Sequence, residues 1–249
     1  MSAMTALPQP PALDAMASGK PVALFLDFDG TLVEIAPTPD GIDVPPGLAA
    51  SLQGLAAQVD NRLALVSGRA ISDIEGFTGP LRIARAGSHG VDMRLPDDTP
   101  LASAPEPFPR GALAQLAEFA GDKGFALEEK PHGAALHYRA NPALEDCGVE
   151  FAGIIARHHG LVVKRGKCVV ELVHPGAEKG AAVRAFMQHP LFAGSHPVFI
   201  GDDVTDEDGF TAVAEYGGTG ILVGDRYPTK AQYRLADPAS VLAWLGVSR

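Results

Sequence analysis

The chain has 249 residues, 46% of them hydrophobic and 20% charged, and a formal net charge of −10. That composition supports a globular core. Its acidic balance argues against a nucleic-acid partner, which would need a basic surface for phosphate. The two cysteines, Cys147 and Cys168, stand in no CxxC or Cys/His spacing. Neither zinc nor a disulfide framework is therefore expected, and a reduced, cytoplasmic protein is the plain reading. No uninterrupted apolar stretch reaches the roughly 18 residues of a membrane span, so no membrane partner is expected.

Residues 1–20 are rich in proline and alanine, lack the basic-then-apolar pattern of a signal peptide, and read as a loose leader. Val22–Leu26 has the length and apolar density of a strand buried on both faces. Leu48, Leu52, Leu55 and Val59 then recur at helical intervals, Leu63–Val66 is a second buried strand, and 70–77 is a short helix. A third strand is expected at 82–86. Strand, helix and strand in this order suggest a parallel sheet. The five prolines between 95 and 110 mark a change of organisation. Beyond them, helices are expected at 111–120 and Glu145–His159. Strands are expected at Ala126–Lys130, at 134–139 (alternating like an exposed strand), at 161–163 and at 168–173. The core pattern resumes with a helix at Lys179–Gln188, strands at 197–200 and 220–223, and a closing helix at 240–245. The expected fold is α/β, a Rossmann-like core with helices on both faces of a parallel sheet. Its two parts, 21–96 and 174–249, flank an α+β insert at 97–173.

Three apolar strands end in polar clusters: Asp27-Phe28-Asp29-Gly30-Thr31, Ser67-Gly68-Arg69 and Gly201-Asp202-Asp203. In an open α/β sheet, ligands gather at the carboxyl ends of the strands. Each cluster alone has an ordinary structural explanation: a turn, an Asx bond, or a solvated acidic loop. Lys179 alone reads as a surface lysine at a helix start. Their joint occurrence, in order and each at an element boundary, points to one site. Several carboxylates crowded together repel unless a cation sits among them, and oxygen ligands alone favour Mg²⁺ over zinc or copper.

The ordered set DxDGT, SGR, a later lysine and GDDxTDE resembles the signature of the haloacid dehalogenase superfamily of phosphohydrolases. AGSHG, LHYR, GKCVVELV and GDDVTDE narrow the resemblance to the bacterial trehalose-6-phosphate phosphatases, from about Val22 to the C-terminus. The resemblance implies that Asp27 attacks phosphorus and becomes an aspartyl-phosphate. Asp29 would protonate the leaving sugar oxygen and then activate water, also lending its backbone carbonyl to Mg²⁺. Asp202 would complete the metal site, with Asp203 and Asp206 nearby as outer or water-mediated ligands. Ser67 and Lys179 would hold the phosphoryl oxygens, and Gly30 and Thr31 would donate to them from the turn.

The same resemblance assigns sugar contacts to Glu129, Lys130 and Glu171 of the insert, whereas Glu128 should face away from Glu129. Arg69, His89 and Gly90 would line the cleft with Gly68, and Arg139 would join the insert's polar group, with Tyr138 on the outer face of a strand. The insert is expected to close over the substrate, hinged in 95–110 and 174–176. The substrate implied is trehalose 6-phosphate and the favoured state a monomer. Sucrose-phosphate and mannosyl-phosphoglycerate phosphatases use the same chemistry. A phosphomutase, or a catalytically dead binding module on this fold, are further alternatives. The chain departs from the family's pattern in lacking an arginine shortly before Lys179 and in carrying Asp92 where glutamate is usual.

Overall fold

The structure, a computed structural model, describes residues 7–16, 19–103 and 105–247. The helices and strands are, in chain order, α1 Leu13–Met16, β1 Val22–Leu26, α2 Leu48–Gln58, β2 Leu63–Val66, α3 Ile71–Thr78, β3 Ala84–Gly87 and β4 Asp92–Arg94. Then come α4 Arg110–Lys123, β5 Ala126–Lys130, β6 Gly133–His137, α5 Glu145–His159, β7 Val162–Gly166 and β8 Val169–Val173. The chain finishes with α6 Lys179–Gln188, β9 His196–Gly201, α7 Glu207–Glu215, β10 Thr219–Val223, β11 Tyr233–Leu235 and α8 Pro238–Trp244. It divides into two compact units: residues 1–102 with 178–249, and residues 103–177.

The larger unit is built on a seven-stranded sheet of order β11-β10-β9-β1-β2-β3-β4, parallel except for the β3–β4 pair. β1 lies near its middle, and its side chains alternate between two cores, as successive strand residues must. Leu24 and Leu26 join Leu52, Leu55, Val241 and Leu242 from α2 and α8. Ala23 and Phe25 join Val183, Phe186, Phe210 and Val213 from α6 and α7. Burial on both faces is why β1 is a continuous apolar run rather than an alternating one. Phe25 stacks on Phe192 at 5.7 Å between ring centroids.

The N-terminal segment differs from the loose leader expected of it, as far as its described residues go. Met16 is buried in the first core, and Leu7 packs on the second. The Pro8 carbonyl accepts the Arg234 N–H at 2.9 Å, and the Pro11 carbonyl accepts the Trp244 indole N–H at 2.9 Å. Residues 1–6, 17 and 18 lie outside the described part of the leader.

The smaller unit is a four-stranded antiparallel sheet of order β5-β6-β8-β7. Ala134, Leu136, Val170 and Leu172 cover one face and pack with Leu116 and Ile155 of α4 and α5. β6 is not the exposed strand its alternation suggested. It is paired on both sides and buried from Gly133 to Leu136. Tyr138 likewise is buried, edge-on to Phe125 at 6.4 Å, rather than on the outer face. Among the described residues, no helix is long and apolar enough to cross a membrane.

Candidate active site

The pairings Leu26↔Leu65, Leu26↔Ile200 and Val66↔Ala86 bring the carboxyl ends of β1, β2, β3 and β9 side by side. The Asp27 N–H continues the ladder to the Ile200 carbonyl at 2.9 Å, and the chain then folds over. The Phe28 side chain is fully buried in the first core, and its carbonyl accepts the N–H groups of Leu32 and Val33 at 2.9 and 3.2 Å. That anchor turns Asp27 inward. At Gly30, φ is +73°, and a Cβ there would stand 2.2 Å from Oδ2 of Asp202. Glycine is needed twice over, for the left-handed turn and for the approach of a carboxylate.

Lys179 opens α6 and is buried. Its Nζ donates to Asp27 Oδ1 and to Asp206 Oδ1, both at 2.7 Å. Asp206 is wholly buried, and its second oxygen accepts the backbone N–H groups of Asp202 and Asp203 at 3.0 and 2.8 Å. The absent side chain of Gly201 makes this possible, since a Cβ there would meet the Asp206 carboxyl carbon at 2.3 Å. Asp206 thus ties the acidic loop to the lysine.

Carboxylate oxygens of Asp27, Asp202 and Asp206 lie within 4.8 Å of one another. Burial raises the Asp27 carboxyl well above its ordinary value; the charges of Asp206 and Asp202 add to this, and Lys179 opposes it. For Asp202, burial and then Asp206 raise it to about 7 against the pull of Lys179. Burial works against the charge of Lys179, but Asp206 and Asp27 outweigh it and keep the ammonium ionised. Three carboxylates therefore share one ammonium, and a divalent cation is the charge that the cluster lacks. The donors are all oxygens, which fits a hard divalent ion held by Asp27 and Asp202. Among the described residues, the side chains of Asp29 and Asp203 are outside this cluster, which leaves Asp29 the backbone carbonyl and Asp203 the outer position expected of them. Asp203 caps the turn at Val204–Asp206.

The Asp29 carboxylate points to Arg69, which donates from Nε at 2.7 Å and from Nη2 at 2.8 Å. Such a fork is planar and bidentate, the strong form of this pair. The Arg69 guanidinium also lies over the Phe77 ring at 5.3 Å. Ser67 is buried at the end of β2, and its Oγ accepts the Arg69 N–H at 3.1 Å. Thr31 Oγ1 is buried with no hydrogen-bond partner, so a hydroxyl is available there. A Cβ on Gly68 would meet the buried His89 ring at 2.7 Å, and one on Gly90 the Glu178 carbonyl at 2.8 Å. Both glycines are close-packing positions in this structure, and His89 is the wall behind Gly68.

On the smaller unit's sheet, the face away from α4 and α5 carries a polar group. Lys130 Nζ donates to Glu171 Oε1 at 2.8 Å and lies 3.8 Å from Glu128 Oε2. His137 Nε2 contacts the same Glu128 oxygen at 2.7 Å. Burial would raise Glu128, yet the His137 bond and the Lys130 charge leave it below the ordinary glutamate value. Two of the residues expected to contact sugar lie apart from this group. Glu128, not Glu129, shares a face with Lys130, because residues two apart on a strand point the same way; Glu129 is exposed on the other side. Arg139 follows the far end of β6, past the His137↔Val169 pair, while Lys130 pairs with Gly133 at the near end. It is exposed and donates to the Lys167 carbonyl at 3.4 Å. The period-two rule could have found Glu128 and His137; no motif marked Arg226, which reaches the acidic loop from beyond β10.

A family model described as trehalose-phosphatase matches residues 25–239. This chain belongs to the trehalose-phosphatase family. It is similar to the trehalose-6-phosphate phosphatase of Escherichia coli, 40% identical over 90% of this chain and 85% of that one. A probable trehalose-phosphate phosphatase of Sinorhizobium fredii is 38% identical over 83% of this chain and 79% of that one. Among solved structures, the C-terminal domain of the C. albicans trehalose-6-phosphate phosphatase aligns over 98% of both chains, with a TM-score of 0.81 at 24% identity. The trehalose-phosphatase fold seen here is that of haloacid dehalogenase superfamily phosphatases, a Rossmann-like core with an inserted α+β cap, and the enzyme is a phosphoric monoester hydrolase.

Proposed function

We propose that this trehalose-phosphatase family member hydrolyses trehalose 6-phosphate to trehalose and phosphate, with Mg²⁺ as its cofactor and Asp27 as the nucleophile. The observation that carries the reading is the contact of Lys179 with Asp27 at 2.7 Å, inside the group formed with Asp202 and Asp206. The ammonium aims this buried carboxylate and favours its charge, and a divalent cation beside it would offset the opposing effect of burial and the neighbouring carboxylates, leaving the ionised oxygen that attack on phosphorus requires.

In the first step an Asp27 oxygen forms a bond to phosphorus while the bond to the sugar oxygen breaks. Asp29 supplies the proton that the leaving oxygen takes up. In the second step water attacks phosphorus, Asp29 accepts its proton, and the bond to Asp27 breaks, releasing phosphate. Mg²⁺ bound at Asp27 and Asp202 would neutralise charge on the transferring oxygens. Ser67, Thr31 and Lys179 contribute two hydroxyls and a cation toward the same oxygens. Arg69 donates to both oxygens of Asp29, so Asp29 must give up one of those bonds and take up a proton from solvent before it can protonate the sugar oxygen. For the sugar itself, Glu128, Lys130 and Glu171 offer the charged donors and acceptors that a disaccharide's hydroxyls need.

Phosphate release from a panel of sugar phosphates tests the reading. Trehalose 6-phosphate is expected to be turned over well ahead of glucose 6-phosphate, sucrose 6-phosphate and mannosyl-phosphoglycerate, and only with a divalent cation. Equal turnover of simple monosaccharide phosphates would overturn the substrate assignment.

A further inference from the structure

We propose that Arg226 is the positioning residue of the cation site: it fixes the backbone that presents Asp202. Arg226 stands in the loop after β10, and its guanidinium spans the acidic loop. Nε donates to the Asp202 carbonyl at 3.3 Å and Nη2 to the Asp203 carbonyl at 3.2 Å. Nη2 also pairs with Glu207, at the start of α7, and Nη1 donates to the Pro228 carbonyl at 3.0 Å. The second Glu207 oxygen accepts the Lys230 N–H at 2.8 Å, which ties the pair back to the loop after β10. β10 is itself laced to β9, with Leu222 opposite Gly201, so this tether starts from a fixed strand.

The consequence falls on one side chain. Both backbone polar groups of Asp202 are held, its N–H by Asp206 at 3.0 Å and its carbonyl by Arg226. Its carboxylate rests where any side chain at position 30 would collide with it. A guanidinium with five donors in a rigid plane can hold two carbonyls and a carboxylate together; an ammonium cannot.

The sign of the effect separates positioning from charge. As a nearby positive charge alone, Arg226 would repel a divalent cation, and its removal would tighten binding. As a tether it holds a ligand in place, and its removal weakens binding. The inference rests on the cation-binding reading of Asp27 and Asp202.

Calorimetric titration of the full chain with Mg²⁺ alone tests it, using wild type, Asp202→Asn, Arg226→Met and Arg226→Lys. Wild type is expected to bind and Asp202→Asn to lose binding. Arg226→Met and Arg226→Lys are each expected to bind about tenfold more weakly, the scale of effect seen for partners that orient metal ligands. Turnover of the two Arg226 variants should recover when Mg²⁺ is raised by the same factor. Unchanged or tighter binding by Arg226→Met overturns the inference, and so does wild-type affinity in Arg226→Lys, since charge alone would then suffice. Should Arg226→Met fail to fold, the lysine variant decides by itself. No Mg²⁺ binding by wild type would remove the cation reading and this inference with it. Binding by wild type that Arg226→Met retains removes only the inference.

Discussion

Replacing Lys179 by methionine keeps the length of the side chain and removes the one ammonium among three carboxylates. Lys179, Asp27 and Asp206 side chains are 4%, 5% and 0% exposed, so solvent cannot take over the lost role. Breaking a buried ion pair from one side costs about 3–5 kcal/mol, because a charge is left uncompensated. With a urea m-value of about 3 kcal/mol per molar, the midpoint should fall by roughly 1 M. The cost also depends on pH. A carboxyl whose folded-state pKa lies above its unfolded value weakens the fold as pH rises between the two, since the native state binds more protons. Asp202 sits at about 7 even with the lysine present, and Asp27 is raised too. Below about pH 7 both native proteins hold Asp202 protonated, so the deficit of Lys179→Met against wild type should open from about pH 7 upward, where the lysine lets the wild-type carboxyl ionise and its absence opposes this. Urea melts at pH 5 and pH 8 without divalent ions measure this. Equal midpoints for the two proteins at pH 8, or a deficit larger at pH 5, would refute the electrostatic account.

Three further outcomes are expected. Gly30→Ala, with its Cβ against Asp202 and φ at +73°, should lose more than tenfold in activity and need more Mg²⁺ for half-maximal rate; wild-type kinetics would refute the close-approach argument. Mg²⁺ should raise the melting temperature of the wild-type chain more at pH 8 than at pH 5.5. At pH 5.5 Asp202, with its pKa at about 7, holds a proton that the ion must displace; a larger rise at the lower pH would contradict this. Lys130→Met should raise KM for trehalose 6-phosphate about tenfold, the value of a hydrogen bond to a charged group, with a smaller fall in kcat; an unchanged KM would remove Lys130 from the sugar contacts.

The frame of the site was legible because physical constraint left its mark on local sequence. β1 had to be apolar on both faces, so two aspartates at its end stood out, and the same held for Ser67 after β2 and Asp202 after β9. What escaped reading depends on tertiary partners. β4 is three half-buried residues, Asp92–Arg94, that form a strand by pairing with β3. The alternation over 134–139 looked like an exposed strand, yet β6 is central and its small residues admit β5 and β8. Glu128 and Glu129 are neighbours of one type; the period of two puts Glu128 on the Lys130 face, and only the pairing of β5 with β6 and of β6 with β8 brings Glu171 to the same group. Arg226 acts through backbone carbonyls, which carry no residue identity, so no pattern could announce it. The proline-rich start hid the fact that Pro8 and Pro11 offer carbonyls to Arg234 and Trp244.

The central claim is that Asp27 carries the phosphoryl group between substrate and water. Rapid acid quench of the enzyme with radiolabelled trehalose 6-phosphate, followed by peptide mapping, tests it directly. The account predicts an acid-stable, hydroxylamine-labile label on the peptide containing Asp27, formed as fast as turnover and absent from Asp27→Asn, which should also be inactive. Label on another residue, or turnover by Asp27→Asn, would contradict it.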